Sequence, residues 1–587
     1  MYFKLNNFSG IAPGVDNRRL ADQFGIVSDN IDFESGALVP ITDNSNETTL
    51  SNSNRRTVYR YKASGGTSYW LQWNDDVDVV KGPVPNDSFD RLYWTGEDYP
   101  RVGTGASMIS GSVYPAGSFR LGIPAPAAAP TTSKSGTADA TQTPFDVSYV
   151  FTFVSAIGEE GPPSPASTVI ELTDAETVTV TMGATPSAPS GNYNLGVGAK
   201  RRIYRSNTGS TNTRFQFVGE VTISTTTFTD TKNGAELGEL LPSETWIGPP
   251  DDDTNLYPSG PMLGLIPVAN GIMAGFTGNR LCFSEPFLPH AWPVAYRITL
   301  EEDIVAITAT GNGIVALTES DPYFVTGTDP SSMTAIKLDI QQSCVNKHSV
   351  VDMGGYVLYA GPDGLVAASG GEARVVTQGL ISAKQWNSDF SPSSIRAFRH
   401  ENTYVAFYIH TTTDQNGNQT ASGRGWVYDP RAQESALSTL ALATGSTGIV
   451  RGGFEKDDDG ELYIIQGSAL LNYRGGTTNK TMTFKSKTFV TPSPVSFSWI
   501  SVDAEAYPVS VKVIADGTTI ADYTVSKSGS VYTQATTTPG SISNVNLQEP
   551  IMRLPAEVGK EWEIEVSSAT TVNEVCLAQS IDEVKVT

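Results

Sequence analysis

The sequence has few of the residues that build thiol and metal sites. Three cysteines and four histidines stand far apart among its 587 residues. They are Cys282, Cys344, Cys576, His290, His348, His400 and His410. No CxxC pair and no HExxH spacing occurs, so we expect neither a disulfide framework nor a zinc site. An odd number of cysteines in so long a chain indicates folding in a reducing compartment.

Charged residues are also scarce, at 17% of the chain, where about a quarter is usual. Long surface helices need Lys, Glu and Arg on their exposed faces, so an all-helical protein is disfavoured. The 55 glycines and 35 prolines instead favour strands joined by tight turns. The net charge of −23 argues against a protein that grips nucleic acid, because such proteins neutralise phosphates with Lys and Arg.

Signals for export, membrane insertion and common catalysis are missing as well. The start, MYFKLNNFSG, has no basic stretch followed by an apolar core, and no apolar run is long enough to span a bilayer. No Walker A loop, no GxGxxG after a strand and no GxSxG turn occurs. We therefore expect a soluble protein made in a cytoplasm, with no cofactor.

What is present is a long series of short predicted strands. Five apolar strand–Gly turn–strand units between residues 255 and 485 form a weak repeat, which is typical of a β-propeller. The segment around FDVSYVFTFVSA predicts an inserted β-sandwich of fibronectin or immunoglobulin type. The predicted all-β organisation is an N-terminal extended arm with the first strands (1–45), first blade strands (46–123), a linker and fibronectin-like sandwich (124–245), the remaining blades (246–489) and a C-terminal β-sandwich-like domain (490–587).

Acidic clusters suggest two kinds of site, calcium binding and glycoside hydrolysis. The calcium candidates are Asp251, Asp252, Asp253, Asp457, Asp458, Asp459 and Glu461. The carboxylates considered for hydrolysis are Glu301, Glu302, Asp303, Glu319, Asp321 and Asp363. Neither a complete twelve-residue EF-hand loop nor the Ser-x-Asp-x-Gly-x-x-Trp turn of sialidase propellers occurs, so solvated loops are favoured.

The densest basic stretch is AKRRIYR. Its cations are Lys200, Arg201, Arg202 and Arg205. Strand alternation places Lys200 and Arg202 on one face and Arg201 and Arg205 on the other. We interpret it as an exposed strand of the sandwich and a candidate interaction patch for an acidic neighbour.

The order of motifs resembles that of one known family. NNFSGIAPGVDNRRLADQFGIVSDNIDFESGALVPI, DRLYWTGEDYPRVGT, RLGIPAP, YVFTFVSAIGEEGPPSP, ALTESDPYFVTGTDPS and EWEIEVSSATTVNEVCLAQSIDEV follow each other along the chain. They resemble segments of the tail nozzle (tail tubular protein B-like) proteins of short-tailed bacteriophages. The matching arm positions are Phe8, Gly10, Pro13, Leu20, Asp22, Asn30, Glu34, Gly36, Leu38 and Pro40.

The resemblance implies a structural virion protein without catalysis. Six copies would form a ring in the tail, contact the tail adaptor proteins, and let genomic DNA pass through the lumen without sequence-specific binding. Tail fibres or spikes are further candidate partners. The arm would serve assembly by exchange between neighbours, because we expect it not to bury itself within its own subunit. A lumen lined with carboxylates would repel DNA.

Two other functions stay open at this point. One is a virion β-propeller that binds a receptor or glycan. The other is a carbohydrate-active enzyme. A six-fold multimer would separate the nozzle from both.

Overall fold

The computed structural model is an all-β protein, as the composition predicts. The residues it describes are 1–186, 192–208, 213–311, 313–413, 418–431, 436–443, 445–455, 460–536 and 545–586. The chain divides into two compact units. Residues 59–338 form the central unit, and residues 1–58 with 339–587 form the terminal unit.

The central unit contains three antiparallel four-stranded sheets in which each strand pairs with the next, the arrangement of a propeller blade. Blade 1 is Asp78–Lys81, Leu92–Thr95, Arg101–Gly103 and Phe119–Arg120. Blade 2 is Leu263–Pro267, Met273–Thr277, Arg280–Phe283 and Arg297–Thr299. Blade 3 is Ile304–Thr310, Gly313–Thr318, Tyr323–Thr326 and Thr334–Lys337. Blades 2 and 3, which the repeat predicts, are thus confirmed as sheets.

Neighbouring blades bury apolar faces against each other. Tyr93, Met273 and Trp292 belong to one core between blades 1 and 2. The Gly264 amide of blade 2 donates to Asp78 Oδ2 of blade 1 at 3.2 Å, which fixes their first strands side by side. A single sheet exposes two faces, and stacking removes both from water.

Short elements surround these blades. A strand pair, Thr57–Lys62 and Ser68–Trp73, packs on blade 1 through Trp73, whose ring meets Trp94 edge to face at 5.7 Å. The helical turns of the unit are Gly105–Met108, Gly234–Glu236, Ala269–Gly271, Val294–Tyr296 and Pro330–Ser332.

An inserted β-domain lies between blades 1 and 2 in the sequence. Its strands form three antiparallel sheets around one apolar core that includes Phe151, Phe153 and Ile203. The sheets are Thr131–Ser135, Thr177–Thr181 and Thr227–Asp230; Phe145–Val147 and Ile170–Leu172; and Tyr149–Val154, Lys200–Thr208 and Thr213–Thr222.

The terminal unit carries three further blades. Blade 4 is Val351–Asp352, Val357–Ala360, Leu365–Ala368 and Ala373–Val375. Blade 5 is Arg396–His400, Thr403–Thr413, Gln419–Asp429 and Ala436–Leu440. Blade 6 is Val450–Glu455, Leu462–Gln466, Ala469–Asn472 and, from the start of the chain, Ser45–Thr49. The sequence pattern along 46–123 groups Ser45–Thr49 with the strands of blade 1, which follow it in the chain. Its actual partner, Ala469–Asn472 of blade 6, is more than 400 residues away, and no local pattern reveals such a distant pairing.

The C-terminal strands form two sheets over the largest core of the chain. One sheet is Tyr2–Leu5, Val572–Ala578, Trp499–Ala504 and Ile551–Arg553. The other is Gly25–Asp29, Met482–Ser486, Gly559–Ser568, Val509–Ala515, Thr518–Ser528, Val531–Thr536 and Val545–Leu547, with Phe489–Val495 also on Gly559–Ser568. This second sheet is continuous with blade 5, because Gly25–Asp29 pairs in parallel with Ala436–Leu440. The remaining elements of the unit are the strand pair Ile31–Asp32 and Val39–Pro40, the helices Ala383–Asp389 and Ile581–Val586, and the turns Lys347–Ser349, Pro392–Ser394 and Gly445–Gly448. We refer to the two sheets that cover the largest core, one containing Val572–Ala578 and the other containing Gly559–Ser568, as the C-terminal sandwich.

Among the described residues, no helix has the length and apolarity that crossing a membrane requires.

Candidate assembly and conduit surfaces

The N-terminal arm packs against other parts of its own chain. Phe8 is buried and meets Phe484 of the C-terminal sandwich edge to face at 5.0 Å. Gly10 has φ +85°, and a Cβ there would lie 2.2 Å from the Leu437 carbonyl oxygen of blade 5. The expectation that the arm cannot bury itself within its subunit is therefore wrong, because it fills the space between blade 5 and the C-terminal sandwich.

Asn30 and Leu38 also anchor the arm to other parts of the same chain. Asn30, with φ +57°, donates from Nδ2 to the Thr481 carbonyl at 3.0 Å and accepts at Oδ1 from the Ala441 amide at 3.0 Å. Leu38 is fully buried and exchanges two backbone hydrogen bonds with Val572, each 3.0 Å. These contacts tie the arm to the end of the chain.

The remaining arm positions divide between buried and exposed. Leu20 and Pro40 are buried, Gly36 makes a turn at φ +77°, and the carbonyl of Pro13 accepts from Gln385 Nε2 at 2.8 Å. The exposed carboxylates bind cations of the same chain: Asp22 pairs with Lys487 at 3.0 Å and Glu34 with Arg431 at 3.3 Å.

The basic strand is not an open patch, which corrects the prediction for it. Arg201 and Arg205 are buried on the core face, and Arg205 pairs with Asp230 at 2.8 Å. Lys200 pairs with Glu220. Arg202 Nη1 lies 3.2 Å from Glu160. The predicted alternation is confirmed, but the sequence does not reveal that acidic side chains of the same domain pair with Lys200, Arg202 and Arg205.

Two motif segments meet in a buried ionic cluster. Arg91, from DRLYW, binds Asp87 at 2.6 Å and Glu159, from GEEG, at 3.1 Å. The neighbouring Glu160 faces the other way and accepts from the Tyr204 hydroxyl at 2.7 Å. Glu159 thus fastens the inserted domain to blade 1, and we name this contact the Arg91–Glu159 clasp.

Burial controls the protonation of the clasp. It raises the pKa of Glu159 to about 7, against the opposing effect of Arg91. Arg91 offsets only part of the desolvation cost because it also serves Asp87. Burial lowers the pKa of the nearby His290 to about 3, so this ring is neutral at ordinary pH.

Carboxylates gather at one end of blades 1–3. In a meander sheet, the loop before the first strand and the loop between the second and third strands lie at the same end. We name this the acidic end. Its carboxylates are Asp75, Asp76, Asp78, Glu97, Asp98, Asp251, Asp252, Asp253, Glu301, Glu302, Asp303, Glu319 and Asp321, and its bases are Arg101, Arg120, Arg280 and Lys337.

The opposite ends of the same blades are nearly neutral. Their charged residues are Asp87, Asp90, Glu285, Asp329, Lys81, Arg91 and Arg297. The formal charge is therefore −9 at the acidic end and −1 at the opposite end. The chain's excess of acid is concentrated rather than spread evenly over this unit.

The loops of the acidic end touch one another. The Glu319 amide donates to the Asp303 carbonyl at 3.0 Å, which joins blade 3's turn to the segment entering it. Lys337 binds Glu301 at 2.9 Å and Asp321 at 2.8 Å. These contacts hold the blade 3 part of the acidic end together, and Glu302, Asp303 and Glu319 are exposed there.

The candidate calcium and hydrolytic positions do not form a metal centre in the described residues, where no group of three His, Cys, Asp or Glu side chains converges. Arg120 binds Asp251 at 3.2 Å and Asp252 at 2.6 Å. Asp457, Asp458 and Asp459 lie outside the described residues, and Asp363 accepts from Gln342 Nε2 at 2.7 Å.

The three cysteines are buried, and none of them forms a disulfide in the part of the chain that the structure describes. Burial raises the pKa of Cys282 to about 11 and that of Cys344 to about 12. Both remain protonated thiols at neutral pH, which makes them poor nucleophiles.

No family model and no curated protein matches the chain. Among solved structures, the extracellular domain of the one-component system BT4673 from B. thetaiotaomicron is similar over 70% of this chain and 47% of that one, at 8% identity and a TM-score of 0.24. The chain thus spans about half of that structure. The WD40 domain of Toxoplasma gondii coronin is similar over 62% of this chain and 78% of that one, at 9% identity and a TM-score of 0.21. At these TM-scores neither likeness bears on function.

Proposed function

We propose that this chain is a structural subunit of a short-tailed bacteriophage tail, and that six copies form the nozzle ring through which DNA leaves the virion. The order of motifs along the sequence supports the family, and the acidic end of blades 1–3 is the observation that carries the conduit. The proposed location is therefore the virion tail, after assembly in the host cytoplasm. The proposed partners are the tail adaptor proteins and other copies of this chain.

The physical role of the acidic end follows from the charge of DNA. Double-stranded DNA carries one negative charge per roughly 1.7 Å of its axis, and proteins that hold it release counterions through Lys and Arg contacts. A surface with a formal charge of −9 per copy offers few such contacts. In the nozzle, this surface faces the passing DNA and keeps it from adhering.

The motif segments also fit a protein whose work is mechanical. DRLYW and GEEG meet in the Arg91–Glu159 clasp, and the arm ties the start of the chain to the C-terminal sandwich. A conduit that carries DNA under pressure needs inserted domains and chain ends that are held fast.

The test uses phage particles that carry a charge-reversal variant, Glu302→Lys with Asp303→Lys and Glu319→Lys. We expect slower DNA release, measured with a DNA-binding dye, and partial recovery at high salt because added ions screen the new contacts. The control is Glu171→Lys with Asp174→Lys and Glu239→Lys, which reverses three exposed carboxylates of the inserted domain.

Equal release rates in both variants and the wild type would refute the conduit role of the acidic end. Particles that lack a multimer of this chain would refute the nozzle. A monomer that binds a glycan would instead favour the receptor-binding propeller, and turnover of a polysaccharide would favour the enzyme.

A further inference from the structure

A cavity of about 360 Å³ opens where the arm crosses the segment that follows blade 4. Its apolar wall is made by Ala12, Val15, Leu20, Phe24, Val376 and Leu380. Both sides are fixed, since the Gly14 amide donates to the Leu380 carbonyl at 2.7 Å. The arm therefore packs against its own chain and still leaves a formed opening, which exposes polar and apolar atoms in similar amounts.

A single cation stands at the rim of this cavity. Arg19 is exposed, and its guanidinium has no ion-pair or hydrogen-bond partner within the part of the chain that the structure describes. The adjacent Arg18 differs, because it pairs with Glu561 at 2.7 Å. An occupant that suits this opening combines an aliphatic side chain with a carboxylate beside it.

The central unit presents such a group. Leu256 is 66% exposed, the highest value for a leucine among the described residues. The amides of Leu256 and Tyr257 both donate to the Asp253 carbonyl, at 3.1 and 2.8 Å, so Asp253 lies one turn away from Leu256. Arg120 holds this loop through Asp251 and Asp252. The leucine and its carboxylate are thus preorganised, which lowers the entropy lost on binding.

We propose that Leu256 of one copy enters the arm cavity of a neighbouring copy and that Asp253 pairs there with Arg19. Copies that each carry a net charge of −23 repel one another, so a contact between them needs a local cation to meet local acid. Arg19 supplies that cation. Leucine and cavity are different surfaces, so the contact is head to tail, the type that generates rings. This inference rests on the proposed ring.

Cross-linking tests the contact directly, because the native cysteines are buried. Ala21→Cys places a thiol at the cavity and Asn255→Cys places one beside Leu256, both at exposed positions. With a short bis-maleimide, we expect the mixture of the two full-length variants to give a cross-linked heterodimer. Asn255→Cys mixed with Ala175→Cys, an exposed site on the inserted domain, is the control and should give none.

A charge swap tests the pairing. We expect Arg19→Asp and Asp253→Arg each to lower the yield of cross-link about tenfold, the effect of losing one contact that dominates an interface. Combining Arg19→Asp on one copy with Asp253→Arg on the other should restore it. Leu256→Ala tests the apolar part and should also lower the yield.

Several results would overturn the proposal. They are no heterodimer at any protein concentration, cross-linking of Ala21→Cys to itself, a yield indifferent to Arg19→Asp, or a cavity filled by another tail protein in the particle. A six-fold ring in which Leu256 lies away from the cavity would refute this contact and leave the proposed function intact. A single copy in the particle would refute the proposed function instead.

Discussion

Glu159 and Glu160 are consecutive residues whose side chains bind partners in different parts of the central unit. Glu160 binds Tyr204 and Arg202 within the inserted domain, whereas Glu159 reaches Arg91 on blade 1. A strand-like backbone sends neighbouring side chains to opposite sides, and this alternation lets one dipeptide serve two partners.

The raised pKa of Glu159 predicts an unusual dependence of stability on pH. Its folded-state pKa of about 7 lies above the usual 4.5, so the folded protein binds this proton more tightly than the unfolded chain does. The resulting stability is present below pH 4.5 and is lost as pH rises through 7. We expect the free energy of unfolding to increase by about 1–3 kcal/mol from pH 8 to pH 5.5 because of this group.

Urea unfolding at both pH values measures this effect. Glu159→Gln should remove the increase, since the amide does not titrate. Glu239→Gln, a change at an exposed carboxylate of the same unit, should keep it. The same pH dependence in Glu159→Gln and wild type would contradict the assignment.

Gly10 is the arm position with the least tolerance for a side chain. Gly10→Ala combines a left-handed backbone with a Cβ 2.2 Å from the Leu437 carbonyl, and we expect a loss of about 2–4 kcal/mol. Gly517→Ala separates the two causes. Gly517 has φ +79° with open space around it, so only the backbone cost of about 1–2 kcal/mol should appear. Equal losses in the two variants, measured by urea unfolding, would rule out the contact with blade 5.

At the scale of elements, the first strand completes the last domain. Tyr2–Leu5 pairs in antiparallel register with Val575–Ala578, and Phe3 stacks on Phe489 at 4.4 Å. This strand forms an edge of its sheet. Its removal leaves the backbone of the neighbouring strand open to water on one side.

Deleting residues 1–5 should therefore speed amide hydrogen exchange in residues 575–578 by about tenfold or more, because local opening then costs less free energy. Lys4→Ala is the matched control: it removes the ion pair with Glu574 but keeps the strand. Unchanged exchange after the deletion would show that this strand does not hold the C-terminal sandwich together.

The sequence predicted elements well where the signal is local and poorly where partners are distant. Alternation and turns identified the strands of blades 2–4 and the two faces of Lys200–Arg205. Neither could show that Ser45–Thr49 completes blade 6 or that Arg205 meets Asp230. The acidic end could not be predicted from the sequence either, because its carboxylates come from five loops that only the meander topology brings together.

On the scale of the whole molecule, net charge is informative once its location is known. A value of −23 argues only against gripping nucleic acid. A formal charge of −9 lies at the acidic end of blades 1–3 and only −1 at the opposite end, so one end of the central unit is strongly acidic. In the proposed ring, the blade 3 carboxylates of the acidic end, Glu302, Asp303 and Glu319, face the channel, whereas Asp253 in the loop before blade 2 contacts the neighbouring copy.

A cryo-EM reconstruction of the phage tail tests the nozzle most directly. We expect six copies of this chain around the tail axis, with Glu302, Asp303 and Glu319 on the channel wall. A channel wall dominated by Lys and Arg, or a single copy of the chain away from the axis, would contradict it.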